Sequence, residues 1–377
     1  MKIAVNTRLL LPGKLDGIGW FTYETLRRIT KDHPEHTFYF LFDRKWDDSF
    51  LFSENIRPVV IPPPARHPLL WHLWTQWGVK RFLEQHDVDL FFSPDGFVPL
   101  RTPVPVLPVI HDLNFVHYPD DLPMLTGRYY RLYFPRFARA ATHILTVSHY
   151  SAGDIAQQYG IDLARITVAY NGVSSEFSPL GEKEKQESRL RFAGGVPYFV
   201  HVGSLLPRKN LPRLLWAYEL FRTHHPDINI RLVLAGRALF GNNELKKTLR
   251  RMTFAGDVHF EGGLGREETR RLIGGAEALF FVSYFEGFGI PLVEAMACHT
   301  PVVAAHATAL PEVAGEAALF VDPFSVESMA DAMEKISTSP TLRQELSRKG
   351  AERVKLFSWD QTAATVWKTL EKVLRHG

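Results

Sequence analysis

The chain has 377 residues, of which 45% are hydrophobic, 26 are Gly and 25 are Pro. This length corresponds to two or three domains, and the composition is that of a globular protein, which excludes a disordered, collagen-like or coiled-coil architecture. The 44 Lys and Arg residues exceed the 41 Asp and Glu residues by three, so the large basic surplus of a nucleic-acid-binding protein is absent. A single cysteine excludes an internal disulfide and fits a reducing compartment.

The amino-terminal segment does not have the pattern of a signal peptide. Its apolar runs, residues 3–5 and 9–11, are short and are interrupted by Asn6, Arg8 and Pro12. No stretch approaches the ~20 apolar residues of a membrane span. We therefore expect a cytoplasmic protein.

Short apolar runs alternate with amphipathic stretches along nearly the whole chain, and Gly, Pro, Asn or Asp bound most of the runs. In chain order the predicted strands are 2–6, 37–42, 58–61, 88–92, 104–110, 143–147, 166–169, 198–202, 231–235, 258–260, 278–282, 301–304 and 318–321. Helices are predicted between them, for example over 211–222 and 328–336. This alternation predicts an α/β fold of parallel sheets with helices on both faces.

The alternation breaks once, in a charge-dense stretch between Phe177 and Val196. We interpret its start as a linker and expect the domain boundary near 178–195. The predicted domains are 1–180 and 190–355, two doubly wound, Rossmann-like units facing across a cleft. A C-terminal helix within 356–377 is expected to pack back on the first domain. Ligands of such sheets bind beyond the carboxyl ends of the strands.

A glycine pair, Gly17 and Gly19, follows the first predicted strand. It is not a dinucleotide-binding fingerprint, because Thr22 stands where Gly or Ala is required and the loop is long. A loop approached by a ligand and a simple turn remain alternatives.

Two polar pairs flank later strands of the first half. Asp87 and Asp89 resemble a two-carboxylate metal site, but they lie at a strand entry and far in sequence from the other candidates, so no metal is expected. His111, with Asp112, closes the predicted strand 104–110. A histidine at this end of a strand either faces a ligand or is a hydrogen-bonded core residue.

Two stretches combine cations with aromatic residues at helical spacing. One contains Leu70, Leu73, Trp74 and Trp77 near Arg66, Lys80 and Arg81; the other contains Tyr129, Tyr130, Tyr133, Phe134 and Phe137 interleaved with Arg128, Arg131, Arg136 and Arg139. Such stripes are usually core-facing. The alternative is an interfacial surface that contacts anionic lipid.

Adjacent cations follow the strand predicted over 198–202. After Gly203 the chain reads Pro207-Arg208-Lys209-Asn210 before the next helix. Arg208 and Lys209 at the end of a buried strand could neutralise a diphosphate leaving group without a metal. The alternative is a solvated turn.

A glycine- and proline-rich loop follows the strand predicted over 278–282. It places Glu286 at the loop and Glu294 inside the next helix, whose N-terminus is a phosphate-binding feature lined by the amides of Gly287, Phe288, Gly289 and Ile290. Carboxylates here are suited to accept hydrogen bonds from sugar hydroxyls. Cys298, in the same helix, is interpreted as a small core residue.

These motifs together resemble the retaining family 4 glycosyltransferases (glycosyltransferase group 1) of GT-B fold. The resemblance rests on Glu286 and Glu294 separated by seven residues and on the segments 146–148, 170–173, 203–210 and 310–315, and it extends from Gly17 to Pro323. His299 departs from the family, which commonly has Gly at that position.

The resemblance implies a role for each candidate residue. Arg208 and Lys209 would bind the donor diphosphate with Gly203 and the amides of 287–290, Glu294 the ribose hydroxyls, and Glu286 the transferred sugar. His111 would lie near the reacting centre, and Gly17 and Gly19 would line the cleft. His111, Glu286 and Lys209 are thus the expected catalytic residues.

The implied activity is transfer of a hexose from a nucleotide diphosphate sugar to a glycan or lipid-linked acceptor, with retention and without a further cofactor. Segment 207–210 resembles mannosyltransferase-like members, which makes GDP-mannose the first guess for the donor. Peripheral membrane contact is a further expectation, and no nucleic acid is expected as a partner. The alternatives are a GT-B-fold nucleotide-sugar epimerase and a non-catalytic sugar-binding protein; an NAD-dependent oxidoreductase is opposed by the missing fingerprint.

Overall fold

The computed structural model describes residues 1–237 and 243–376 and divides the chain into two compact units. The first comprises Met1–Gly172 with Trp359–Gly377, and the second comprises Val173–Ser358. Each has its own parallel sheet and its own cluster of buried apolar side chains. The fold is therefore α/β, as the alternation of runs predicts.

The first unit contains a five-stranded parallel sheet in the order β3-β2-β1-β4-β5 and a separate parallel pair, β6-β7. Its strands are β1 Lys2–Asn6, β2 Thr37–Phe42, β3 Ile56–Val60, β4 Leu90–Ser93, β5 Val106–Pro108, β6 Ile144–Thr146 and β7 Ile166–Val168. Its helices are α1 Gly17–Asp32, α2 Pro68–Leu73, α3 Lys80–Gln85, α4 Asn114–His117, α5 Met124–Ala140 and α6 His149–Tyr159, with a π-helical turn Trp74–Val79 between α2 and α3.

The second unit contains a six-stranded parallel sheet in the order β10-β9-β8-β11-β12-β13. Its strands are β8 Tyr198–Val202, β9 Arg231–Ala235, β10 Val258–Glu261, β11 Ala278–Phe281, β12 Val302–Ala305 and β13 Ala318–Val321. Its helices are α7 Glu182–Ala193, α8 Leu211–His224, α9 Asn243–Leu249, α10 Arg266–Gly274, α11 Ile290–Ala297, α12 Leu310–Ala314, α13 Val326–Thr338 and α14 Pro340–Arg353.

Both sheets have a topological switch point, where the strand order reverses and neighbouring connections leave on opposite faces. It lies between β1 and β4 in the first unit and between β8 and β11 in the second. The carboxyl ends of strands at such a point open a crevice in which ligands of α/β sheets bind. The loops after β8 and β11 are those that carry the candidate residues of the second half.

The charged stretch predicted to begin as a linker is mostly helical. Helix α7 begins after Gly181, whose N–H donates to Glu184 Oε2 at 3.0 Å, and it ends at Gly194, which has φ 57°. Phe192 and Ala193 on this helix are buried. The irregular segment is thus confined to the residues before Glu182, and the division between the units lies earlier, at Gly172. The many charged residues of α7 therefore give no indication in the sequence that the C-terminal end of this helix is apolar and buried.

Strand β5 is shorter than the predicted 104–110. Pro105 and Pro108 have no N–H to donate to the neighbouring strand, which limits the ladder to Val106–Pro108. His111 therefore lies three residues beyond the end of the strand.

The C-terminal helix α15, Trp359–His376, belongs to the first unit. The rings of Trp367 and His33 stack with centroids 3.6 Å apart, and Arg28 Nε donates to Asp360 Oδ1 at 2.5 Å. Thr362 Oγ1 donates to the carbonyl of Tyr170 at 2.6 Å. These contacts fix α15 against α1 and against the end of the first unit's main segment.

His299 follows α11 in the left-handed region, with φ 57°. Glycine adopts this conformation without a steric cost, which explains why a glycine suits the position. The departure from the family pattern therefore affects the turn after α11.

Across residues 1–237 and 243–376, no helix combines the length and the apolarity needed to cross a bilayer.

Candidate functional site

The switch point of the second sheet brings together four of the predicted residues. Gly203, Arg208 and Lys209 follow β8, and Glu286 follows β11. The backbone N–H of Tyr284 donates to the carbonyl of Arg208 at 3.1 Å, which joins the two loops directly.

Glu286 binds both cations. Its Oε2 accepts a hydrogen bond from Arg208 Nη1 at 2.6 Å, and its Oε1 accepts one from Lys209 Nζ at 2.5 Å. Glu286 is 5% exposed and Lys209 6%. Arg208 Nη1 also donates to the carbonyl of Phe285, and Lys209 Nζ lies 4.6 Å from the centroid of the Phe281 ring. Two cations and one carboxylate give this buried cluster a net positive charge.

The cluster holds Glu286 ionised. Burial alone raises the pKa of this carboxyl group, but Arg208 and Lys209 outweigh burial and lower the pKa to about 2. A carboxylate with both oxygens bound to cations is a poor nucleophile, because attack would break both ion pairs. The geometry favours a positioning role for Glu286.

Close backbone packing fixes the loop after β8. Gly203 has φ 149°, and a Cβ placed on Gly236, which follows β9 with φ 153°, would lie 1.8 Å from the carbonyl oxygen of Gly203. Only glycine fits at position 236. Asn210, with φ 62°, donates from Nδ2 to the carbonyls of Val282 and Pro323 and so ties the other end of the loop to the end of β11.

His201, on β8, is a neighbour of this loop that the sequence motifs do not indicate. Its Nδ1 lies 3.0 Å from the carbonyl of Phe280, so Nδ1 carries the proton, and its fully buried Nε2 has no hydrogen-bond partner within the described structure. Burial and the nearby Lys209 lower the pKa of His201 to about 4. The ring is therefore neutral and adds no charge to the cluster.

The loop after Glu286 leads into helix α11. Gly289 adopts φ 98° as its N-cap, and the helix begins at Ile290 with Pro291 in the first turn. Phe288 is buried, with its ring 5.5 Å from that of Phe357, and the Glu286 N–H donates to Thr308 Oγ1. Gly287 precedes this buried anchor. The loop thus presents a helix N-terminus beside the carboxyl end of β11.

Glu294 lies on the second turn of α11 and is partly exposed. Burial raises the pKa of its carboxyl group to about 7, and Arg266 opposes this shift without cancelling it. Glu294 therefore exchanges its proton near neutral pH, in contrast to Glu286.

The first unit carries the other predicted residues, Gly17, Gly19 and His111. Gly17 and Gly19 lie in the first turn of α1, not in a loop, and the Gly19 N–H donates to the N-cap Asp16 at 3.0 Å. A Cβ on Gly19 would lie 3.1 Å from Leu15 Cδ2. Gly19 thus allows the helix to pack closely on the preceding chain.

His111 is a partly exposed residue with a fixed tautomer. Its Nε2 lies 2.8 Å from the carbonyl of Pro94, so Nε2 carries the proton, and the ring meets Phe21 edge-on. Burial lowers the pKa of His111, and the nearby Asp112 and the Pro94 carbonyl oppose this shift. The imidazole is neutral, with Nδ1 as a hydrogen-bond acceptor.

The switch point of the first sheet holds a buried ion pair that no sequence motif indicates. Arg8 Nε donates to Asp95 Oδ2 at 2.5 Å, and Asn6 Nδ2 donates to Asp95 Oδ1 at 2.7 Å. The Arg8 guanidinium lies 4.3 Å from the centroid of the Phe97 ring. Polar residues directly after β1 and β4 are a signal that could have indicated this group.

The contacts of three further residues, Asp87, Asp89 and Cys298, indicate structural roles. Asp87 Oδ2 accepts from Lys2 Nζ at 3.1 Å, and Asp89 Oδ2 accepts from the Lys2 N–H at 2.7 Å. Burial raises the pKa of the Cys298 thiol to about 12, which opposes a nucleophilic role.

We predict that Glu286→Gln destabilises the protein by about 3 kcal/mol at neutral pH, because the buried Lys209 and the partly buried Arg208 lose their shared partner. The native pKa lies below the ordinary 4.5, so this contribution is present above that value and is lost as pH falls toward 2. Denaturant unfolding of wild type and variant at neutral pH and at pH 3 measures it. Glu316→Gln, at a 90% exposed carboxylate, is the control and should change stability little. Equal losses in the two variants would contradict the prediction.

Two family models match consecutive parts of the chain. Residues 15–177 match "Glycosyltransferase Family 4" and residues 182–353 match "Glycosyl transferases group 1". O-antigen chain mannosyltransferase B of Escherichia coli is 29% identical over 306 residues, which cover 78% of each protein. The MMP alpha-(1->4)-mannosyltransferase of Mycolicibacterium hassiacum is 33% identical over 245 residues, 63% of this chain but only 56% of that protein.

Solved structures share the fold over nearly the whole chain. Sucrose-phosphate synthase from Thermosynechococcus elongatus aligns with a TM-score of 0.80 and 17% identity, covering 100% of both chains. HepE of Anabaena, solved in complex with UDP-glucose, aligns with a TM-score of 0.76 and 19% identity over 99% of this chain and 100% of that one. With the two family models and the two switch-point sites, these similarities establish that the chain belongs to the group 1 glycosyltransferases of GT-B fold.

Proposed function

We propose that this hexosyltransferase transfers mannose, with retention, from GDP-mannose to a glycan or lipid-linked acceptor. The observation that carries the proposal is the buried cluster of Arg208, Lys209 and Glu286 at the switch point of the second sheet. It supplies fixed positive charge at the place where α/β sheets bind their ligands, as a diphosphate requires. No cofactor beyond the donor is needed for this chemistry.

The comparisons support the donor class. Two relatives are named mannosyltransferases, and the HepE structure holds UDP-glucose, a nucleotide diphosphate sugar. They do not favour an epimerase or a non-catalytic sugar-binding protein. The resemblance of segment 207–210 to mannosyltransferase-like members selects mannose among the hexoses.

Each candidate residue has a part in the proposed reaction. Cleavage of the sugar–phosphate bond develops positive charge on the sugar and negative charge on the diphosphate. Arg208, Lys209, Gly203 and the loop amides of 287–290 stabilise the leaving diphosphate.

The two acids are proposed to bind different parts of the donor. Glu294 accepts hydrogen bonds from the ribose hydroxyls. Glu286 keeps the two cations in place and positions the transferred sugar. An oxygen of the leaving phosphate assists deprotonation of the acceptor, so the reaction needs no enzyme nucleophile.

The first unit is proposed to bind the acceptor. His111 offers a neutral Nδ1 that accepts a hydrogen bond from a sugar hydroxyl. The N-terminus of α1, with Gly17 and Gly19, lies after β1 and contributes backbone without side chains. The Asp16 carboxylate already caps this N-terminus, which disfavours a phosphate there and suits an uncharged sugar.

The two aromatic and cationic stretches each have a buried side and an exposed side. Their rings Trp74, Tyr129, Phe134 and Phe137 are buried, as the core-facing interpretation predicts. The exposed side carries large apolar residues and cations instead: Leu69, Trp77, Met124, Leu125, Leu132, Arg66, Arg81, Arg128, Arg131, Arg136 and Arg139. Helix α5 contains four arginines and no acidic residue. We propose that this exposed surface binds anionic lipid.

The transfer itself is tested with nucleotide sugars and acceptor glycans. GDP-mannose should give free GDP and a new α-mannoside, whose anomeric configuration is read by NMR. Lys209→Ala should lower kcat about 100-fold, because a leaving-group cation is lost, whereas the exposed Lys335→Ala should leave it unchanged. Conversion of the sugar without GDP release would indicate an epimerase. Undiminished turnover in a folded Lys209→Ala protein would refute the site.

A pH dependence tests the role of Glu294. Its carboxyl group accepts hydrogen bonds from the ribose hydroxyls best when it is ionised. Because its pKa is about 7, GDP should bind more tightly as pH rises from 6 to 8. GDP also titrates, so Glu294→Gln is the reference: the wild-type rise should exceed the variant's by roughly tenfold. Calorimetry measures both profiles. Parallel profiles would show that this carboxyl group does not contact the nucleotide.

Vesicle flotation tests the lipid-binding surface. Binding to phosphatidylglycerol vesicles should exceed binding to phosphatidylcholine vesicles and fall with salt. Trp77→Ser, at a 71% exposed indole, should weaken binding roughly tenfold, because a large apolar contact with the bilayer is lost. Leu163→Ser, at a 58% exposed leucine outside this surface, is the matched control. Flotation that does not depend on anionic lipid would contradict the proposal.

A further inference from the structure

The turn between α1 and β2 gathers three side chains that metal ions bind. His33, Glu35 and His36 each offer one ligand atom there, and these atoms lie within 4.8 Å of one another. His33 Nδ1 is 3.8 Å and His36 Nε2 is 3.2 Å from Glu35 Oε1. None of the residues proposed for glycosyl transfer belongs to this turn.

The backbone of the turn is held in place. Asn55 Nδ2 donates to the carbonyls of Thr30 and His33, both at 3.0 Å, and the His36 N–H donates to the carbonyl of His33. The turn is therefore tied to the segment before β3. A fixed backbone lowers the entropy that metal binding must offset.

Both imidazole rings are also oriented by packing. The His33 and His36 rings are parallel within 9°, and both stack on the indole of Trp367, at 3.6 Å and 5.2 Å. Nδ1 of His36 lies 3.2 Å from the amine of Met1, which leaves Nε2 as the nitrogen turned towards Glu35. Aromatic stacking of this kind does the orienting work that hydrogen bonds usually do around metal ligands.

The donor set and its spacing suit one class of ion. A tetrahedral Zn²⁺ ion with ligands at about 2.0–2.1 Å places neighbouring ligand atoms roughly 3.3 Å apart. The separations from Glu35 Oε1, 3.8 Å to His33 Nδ1 and 3.2 Å to His36 Nε2, are close to this value, and the three ligand atoms all lie within 4.8 Å of one another, so side-chain rotations can bring them to one ion. Two imidazoles and one carboxylate are a common Zn²⁺ ligand set, and the 60% exposed Glu35 leaves room for a water as fourth ligand.

We propose that His33, Glu35 and His36 form a Zn²⁺ site in the first unit. The ion joins three side chains within four residues of the turn. Because both histidines stack on Trp367, its binding also stabilises the packing of α15 against α1.

Zinc titration of the metal-stripped, full-length protein tests the site. The purification tag is removed first, and Zn²⁺ binding is measured by competition with a chromophoric chelator. Wild type should bind one Zn²⁺ per chain at this site, and bound Zn²⁺ should raise the Tm. His36→Ala and Glu35→Gln should each weaken binding at least about tenfold, since a ligand is lost.

Two comparisons keep the test decisive. His36→Ala removes a stacked ring and could affect folding, whereas Glu35→Gln changes a side chain that is 60% exposed, so it reports on the ligand itself. His225→Ala is the matched control and should not change binding, because His225 Nε2 lies 3.6 Å from Glu334 but the pair belongs to no three-residue ligand group in the described part of the chain. No competition by wild type, or unchanged Zn²⁺ affinity in Glu35→Gln and His36→Ala, would overturn the proposal.

Discussion

The contact between Glu286 and the two cations Arg208 and Lys209 determines the candidate site. Neither lysine nor arginine is stable when buried alone, and the shared carboxylate makes their burial possible at the ends of β8 and β11. The same carboxylate joins loops from two neighbouring strands. A single ionic cluster thus sets both the positive charge of the site and the relative position of the loops that form it.

The two acids that follow β11, Glu286 in the loop and Glu294 on α11, differ in their protonation. Glu286 is saturated by cations and stays ionised, whereas Glu294 is left with a raised pKa by burial among weaker partners. Two residues of one type, with seven residues between them, therefore have opposite electrostatic surroundings. Environments that push the pKa values of two carboxyl groups apart give the two groups different roles at a site.

Much of this could be predicted from the sequence, because the chemistry lies in contiguous motifs. Alternating apolar runs predict the parallel sheets, and the spacing of Glu286 and Glu294 with the Arg208-Lys209 pair predicts the residues after β8 and β11. Gly236 and His201 could not be predicted this way. Their importance comes from contacts with the loop after β8 that arise only when neighbouring strands pair.

Helix α7 and the first-unit glycines show a second limit of sequence patterns. The many charged residues of α7 give no indication in the sequence that one end of this helix is buried. Gly17 and Gly19 have the pattern of a loop, although Asp16 caps a helix at this position. The Arg8–Asp95 ion pair could not be predicted from local motifs, because its two members are distant in sequence. A local sequence pattern predicts whether a segment is a strand or a helix. The role of a residue at the end of a strand depends on the partner that the neighbouring strand brings to it.

The return of α15 to the first unit has a consequence for biosynthesis. The segment that stacks on His33 and bonds to Tyr170 is translated after the whole of the second unit. The second unit, continuous from Val173 to Ser358, is complete before that segment emerges. The first unit's main segment is thus translated before the second unit but acquires its contacts with α15 only after it, and until then the face of α1 that receives α15 stays open to chaperones.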